Sequence, residues 1–471
     1  MNEGAGFSGP KPLVPAEVSA RAKRLNRLSF GFGPRFFLMV LLGLLWLVPA
    51  WWLPRLIAGM FLWDLLAVVM FVTDFLRLPK PSEIEGRRTW ERAPSLARAS
   101  GVTISLRNLG RIAIRCYLLD ETPRSLRVTP PRLELFTAAG EQALEHYQIL
   151  PRQRGDILLG RLFLRYQSKF GFAERWAAAE LSQTVRVFPD LEEARQQALY
   201  LIRSRQVEME RRRRRQRGMG REFQSLREYR RGDDWRDICW TATARRHQLT
   251  TRVFEIERSQ VVWIVLDAGR LLRAEVERGG SDIRLSKLDY ATNAALSLAQ
   301  VATQCGDRVG LLAYGRSIQY NIGAHRGLVH LRAIVDCLAQ VHGEAFEADH
   351  SRAARVLLTE QRQRSLVVWI TDFAETPTTP EVIEYAAEIA RRHLVVFSAV
   401  SQPDLANLAN SLPATAEGMY RQAAALEIVQ RRDLLLRGLR RHGVFAFELV
   451  PGLLASAVVN QYLEIKERNL I

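Results

Sequence analysis

Two long apolar stretches near the N-terminus constrain this chain more than any other feature. Phe36 to Leu53 reads FFLMVLLGLLWLVPAWWL without a charge, and a second run from Leu56 to Leu76 is broken only by Asp64 and Asp74. About 20 apolar residues in a helix cross the hydrocarbon core of a bilayer, and both runs come close to that length. They are too long and too poorly flanked for a cleaved signal peptide. Only Pro54 and Arg55 intervene, which predicts a transmembrane hairpin over 36–76, with helices 36–53 and 56–76.

Flanking charge sets the expected orientation. Lys11, Arg21, Lys23, Arg24, Arg27 and Arg35 precede the hairpin, Arg77, Lys80, Arg87 and Arg88 follow it, and Arg55 alone lies between. Cation-rich flanks stay in the cytoplasm, so both termini and the large domains are expected there, with 1–35 as a basic cytoplasmic segment. Trp46, Trp51, Trp52 and Trp63 cluster toward the turn, where amphipathic rings prefer the interface. Asp74 is expected to reach water at the cytoplasmic end. Asp64 lies deeper, as a helix–helix contact, an ion path or, by preference, a carboxyl that snorkels outward or is protonated.

The remainder of the 471 residues, 48% of the whole being hydrophobic and 25% charged, is enough for several domains. The formal net charge of +17 favours an anionic partner, either lipid headgroups or nucleic acid. Cys116, Cys239, Cys305 and Cys337 are scattered without a C-x-x-C pair, so neither a disulfide framework nor a zinc ribbon is indicated and a reducing compartment fits.

Residues 81–190 read as a small antiparallel β-sandwich. Val102, Ile104 and Leu106 alternate before Asn108-Leu109-Gly110, Ile112 and Ile114 resume the period, and further runs follow at 157–166 and 184–188. The basic segment 191–220 has a helical pattern and carries Arg211, Arg212, Arg213, Arg214 and Arg215. These read equally as a lipid-facing cation patch or as a solvated helix face, whereas nucleic-acid binding lacks the interleaved aromatics of a reader motif.

Residues 221–260 interleave arginines and acids with the apolar anchors Phe223, Leu226, Tyr229, Ile238 and Trp240. Beyond them, over 261–471, apolar strand patterns alternate with helical ones, beginning with Val261 to Leu266 and ending that strand on Asp267. Such alternation predicts a mostly parallel sheet with helices on both faces.

The run Phe223, Leu226, Arg227, Tyr229, Gly232, Asp233, Asp234, Arg236, Ile238, Trp240, Ala244 and Arg245 strongly resembles the signature of the bacterial family called domain of unknown function 58 (DUF58). The resemblance extends over nearly the whole chain. It implies an α/β, doubly wound von Willebrand factor A-like domain behind two membrane helices and a β-sandwich, in the bacterial inner membrane. It also implies association with MoxR-type AAA+ ATPases and sometimes with transglutaminase-like membrane proteins.

Ligands of open α/β sheets sit at the carboxyl ends of the strands, which here carry Asp267 and Asp372. Von Willebrand factor A domains that hold Mg²⁺ follow the first carboxylate with two serines and add a Thr from a loop. This chain has Gly269 and Leu271 at the serine positions, and 321–327 contains neither Ser nor Thr. The oxygen set is incomplete. No metal site is therefore assigned, with Asp267 and Asp372 left as residual candidates for weak Mg²⁺ binding and pairing with an arginine such as Arg270 as the simpler expectation. No phosphate loop, H-E-x-x-H or G-x-S-x-G motif is present.

The expected function is a non-catalytic, membrane-anchored protein-interaction adaptor for an ATPase, assembling or remodelling envelope or other complexes. An enzyme using the Arg/Asp-rich signature, or a purely structural scaffold, are the alternatives.

Overall fold

In a computed structural model, residues 13–26, 29–53, 55, 57–190, 192, 194, 196, 222–230, 233, 235–255, 259–277, 284–373, 379–468 and 470 are described. They fall in two compact units, 1–190 and 191–471.

The first unit begins with β1 (Val18–Arg24) and β2 (Phe30–Phe32), followed by helix α1 (Pro34–Gly43). A 3₁₀ turn over Leu44–Trp46 and the short helix α2 (Leu47–Ala50) continue the apolar stretch. Pro49 lacks the N–H that would bond the Leu45 carbonyl, so a regular helix through this stretch is interrupted. Helix α3 (Ile57–Arg77) is uninterrupted and mostly exposed, and among the described residues it is the one helix long and apolar enough to cross a membrane. The two apolar segments touch where glycines allow it. A Cβ on Gly43 would collide with Asp64 and Trp63, and one on Gly59 with Trp46. Trp63 Nε1 also donates to the Met39 carbonyl at 2.8 Å.

Then come β3 (Ile84–Trp90), β4 (Ser100–Asn108), β5 (Ile114–Asp120), β6 (Arg132–Thr137), β7 (Gln142–Ile149), β8 (Gly155–Leu159), β9 (Leu162–Ser168), β10 (Ala173–Ala179) and β11 (Gln183–Val187). Their order is β6-β5-β9-β10-β1-β3-β4-β7, antiparallel throughout, with β2 added on β10 and β8–β11 apart as a pair. β6 returns beside β7, so the sheet nearly closes into a barrel. Ile84, Ile104, Leu106, Ile114, Leu164 and Tyr166 fill the interior from alternate positions. Arg88 and Asp120, both fully buried, form an ion pair completed by Tyr147 Oη donating to Asp120 at 2.6 Å and by Arg88 donating to the Leu181 carbonyl at 2.7 Å.

The second unit opens with the hairpin β12 (Glu222–Glu228) and β13 (Thr250–Glu255), which encloses the helix Trp240–Arg246. β14 (Val261–Asp267) follows, then the small pair β15 (Glu275–Glu277) and β16 (Arg284–Ser286), β17 (Arg308–Tyr314), β18 (Ile318–His325), β19 (Leu366–Thr371), β20 (Leu394–Val400) and β21 (Phe445–Leu449). The main sheet has the order β18-β17-β14-β19-β20-β21. All seven residues of β14 are buried, as its unbroken apolar run requires. Trp263, Val265, Val367, Trp369 and Phe397 pack with Leu357, Ile389 and Leu436 from three helices, while the helix Lys287–Gln304 packs on β14 and on the C-terminal helix Leu454–Glu467. Ser286 caps the helix Lys287–Gln304 in a reciprocal box with Asp289, which places Lys287 in its first turn.

This architecture corrects the predicted fold class at three points. The expected two-helix transmembrane hairpin reduces to one spanning candidate, α3, because Pro49 and the 3₁₀ turn break the first segment. The expected small antiparallel β-sandwich is a single nine-stranded sheet that also takes up β1 and β2, from before the apolar stretch. The expected doubly wound von Willebrand factor A-like sheet is a mixed sheet, since β18 runs antiparallel to β17. Residues 321–325, read as part of a ligand loop, lie in that edge strand because the chain reverses tightly at Gly315–Ser317 and pairs back.

Candidate functional site

Asp267 and Asp372 sit where β14 and β19 end, side by side in the sheet, but they are held differently. Asp267 accepts from the Gly269 amide and the Thr371 hydroxyl, both at 2.6 Å. Burial pushes its carboxyl above the usual range, against the pull of His350 and of these hydrogen bonds. The ring of His350 meets the hydroxyl of Tyr314 at 2.8 Å, and the Trp369 indole donates to that same hydroxyl at 2.7 Å. Asp372 instead faces two cations: Lys287 Nζ at 2.7 Å and Arg432 Nη2 at 2.9 Å.

Both cations are themselves buried. Arg432 also donates to the Val400 carbonyl at 3.1 Å, pairs with Glu448 at 3.0 Å and lies over the Phe373 ring. Burial lowers the Lys287 pKa while Asp372 opposes that shift. The arrangement is a charge cluster in the lining of a 640 Å³ cleft, whose wall also includes Arg270, Leu271, Phe373, Leu405 and Leu408. Neither carboxylate pairs with Arg270, which reaches Glu347 at 3.4 Å.

A divalent cation fits this set poorly. The Lys287 ammonium and the Arg432 guanidinium stand against Asp372 where a metal would need approach, and Gly269 contributes its amide rather than a side-chain oxygen. Among the described residues no group of three or more His, Cys, Asp or Glu has the geometry to hold a metal ion. No chemical step is derived through one.

The signature run folds locally around Asp233. Arg227 grips its carboxylate with both terminal nitrogens at 2.8 and 2.6 Å, and the Arg230 amide adds a third hydrogen bond at 2.9 Å. The Arg227 hydrogen bonds, then that from the Arg230 amide, hold the Asp233 carboxyl below the usual range. Tyr229 donates its hydroxyl to the Asp233 carbonyl, its amide bonds Leu249, and Ile238 bridges to Thr251. Phe223 pairs with Phe254 through the backbone, and Leu226 is half-buried. Gly232 and Asp234 lie outside the described residues, as do Arg211 to Arg215.

Trp240 departs from its expected role as an apolar anchor. It is 65% exposed, Ala244 and Arg245 on the same short helix are exposed too, and Trp235 is 68% exposed with the Arg236 guanidinium over its ring. The helix Trp240–Arg246 is only seven residues long and touches mainly β13, so its first residue finds no core to enter.

Several contributors escaped the sequence reading. Lys287 and Arg432 had no motif to mark them. The Cys239 thiol is brought down to about 7 by hydrogen bonding to Thr241, then to the Ala242 amide and Arg252. Asp74 was expected in water but is buried: it accepts from Ser168 Oγ at 2.5 Å and from the amides of Phe172 and Ala173 at 3.0 Å each.

A family profile described as Protein of unknown function DUF58 matches residues 225–420. No curated protein matches the chain. Among solved structures it is similar to a conserved hypothetical protein BatB from Bacteroides thetaiotaomicron, at 14% identity, 45% of this chain, 100% of that one and a TM-score of 0.30. It is also similar to an uncharacterized membrane spanning protein from Vibrio fischeri, at 11% identity, 43% of this chain, 96% of that one and a TM-score of 0.17.

Proposed function

Residues 225–420 belong to the DUF58 family, and from that premise we propose that the chain is a membrane-anchored adaptor that binds other proteins. Helix α3, the one described helix long and apolar enough to cross a membrane, serves as the anchor. The observation that carries the reading is the pair Trp235 and Trp240, large aromatic rings left exposed in the signature with Arg236 stacked on one of them. Exposed tryptophans and arginines are what interface hot spots are made of, and their desolvation by a partner supplies most of the binding energy. The adaptor works without a reaction of its own. Its partner, by family resemblance, is a MoxR-type AAA+ ATPase whose nucleotide hydrolysis drives assembly or remodelling of envelope complexes, with a transglutaminase-like membrane protein as a second candidate.

The test is capture of the ATPase from native membranes by the full chain carrying Trp235→Ala and Trp240→Ala together. Loss of a hot spot lowers capture about 30-fold while the melting temperature stays unchanged. Undiminished capture by the double variant, in a preparation where the parent chain captures the ATPase, overturns the reading. So does failure of the parent chain to capture it at all.

A further inference from the structure

The β9–β10 turn is tied to both apolar segments at once. From the start of α1, Arg35 Nη1 donates to the carbonyls of Lys169 and Phe170 at 3.1 Å each, and the Gly33 amide donates to the Phe172 carbonyl at 2.8 Å. From α3, Asp74 receives Ser168 and the amides of Phe172 and Ala173. Gly171 takes a φ of +67°, and a Cβ on Gly33 would overlap the Gly171 carbonyl, so the close fit needs both glycines. Turn and helix ends are one packed block, reinforced by Phe30, Phe32, Phe36 and Phe71.

Depth follows from this attachment. Leu76 lies two residues beyond Asp74, about 3 Å along the helix axis. It is 73% exposed, so the apolar surface of α3 continues past the level at which the turn is fastened. At that level Phe170 projects from the turn, 56% exposed; its neighbour Lys169, the turn-bonded Arg35 and, three residues past Asp74 on α3, Arg77 are exposed as well.

We propose that this turn is a lipid-binding collar: Phe170 enters the headgroup–acyl boundary beside α1 and α3, and Arg35, Lys169 and Arg77 meet anionic headgroups. The proposal rests on the anchoring role of α3 given above. The occupant is lipid rather than protein because the exposed aromatic surface is continuous with a helix face that needs lipid along its height, and because the surrounding charge is cationic. The collar fixes the attitude of the first unit at the membrane surface, since three hydrogen bonds to Asp74 leave no flexible joint between sheet and helix.

The full chain, reconstituted in vesicles of phosphatidylcholine with phosphatidylglycerol, tests this with p-benzoylphenylalanine placed singly at Leu65, Phe170 or Val128. Leu65 is an exposed position on α3. Val128 is exposed in the β5–β6 connection, which leaves β5 at its Asp120 end, whereas Ser168 pairs with Ile114 at the other end, about 20 Å away. Photocrosslinking to lipid is expected at Leu65 and Phe170, at Phe170 at least about tenfold above Val128, and Lys169→Glu is expected to reduce the preference for anionic lipid. Labelling at Leu65 without Phe170 overturns the collar and leaves the anchor standing. Labelling at neither overturns both, and equal labelling at Phe170 and Val128 overturns the assigned depth.

Discussion

Asp74 and Asp372 lie in different units and are equally buried, each 4% exposed, yet they are satisfied by opposite means. Asp74 receives neutral donors, two of them backbone amides of one turn, and so ties a helix to a strand. Asp372 receives two side-chain cations from separate helices and so holds together groups that would otherwise repel. Neutral donors left without an acceptor lose hydrogen bonds, whereas buried cations left without an anion lose the partner that made burial tolerable. A carboxylate's worth to a fold is therefore set by what it would strand.

The largest expected effect comes from Asp372→Ala, which strands Lys287 and leaves Arg432 with Glu448 as its acidic partner. It costs about 3–5 kcal/mol, read as a lowered melting temperature of the full chain in detergent. Replacing Lys287 by Met together with Asp372 by Leu recovers much of that loss; if it does not, charge pairing is not the source. Asp74→Ala comes next at about 2–3 kcal/mol, since one hydroxyl and two amides lose their acceptor. Hydrogen exchange at Phe172 and Ala173 accelerates in this variant, and a loss equal to that of Asp372→Ala would erase the contrast between the two sites.

Trp240→Ala lies lower still. A ring so exposed supports little packing, and stability should stay within about 0.5 kcal/mol of the parent. A melting temperature that falls by many degrees would return Trp240 to a core. The smallest effect belongs to Asp233, whose folded pKa is depressed by Arg227. Its support for the signature hairpin is present above the ordinary carboxylate value and is lost as pH falls through the depressed one. Tryptophan emission should register this change over roughly pH 5 to 2 in the parent chain and lack it in Asp233→Asn. An acid transition retained in that variant assigns the change to another group.

Local features were legible in the chain itself. The length and apolarity of Ile57–Arg77, the buried strand Val261–Asp267 and the carboxylates at two strand ends follow from periodicity and composition, properties of neighbouring residues. Pro49 also stood in the sequence, and its effect on the first apolar run is an effect on its own turn of helix.

Tertiary structure decided the rest. Lys287 meets Asp372 across 85 positions, and Asp74 meets Ala173 across 99, separations at which no spacing rule operates. Residues 18–24 and 30–32 join a sheet whose other strands begin past the apolar stretch, and Trp240 stays exposed because its seven-residue helix has little to pack on. Periodicity tells which face of an element is apolar. Whether that face finds a core, a lipid or a partner, and which charges meet behind it, depends on contacts between distant segments that exist only once the chain has folded.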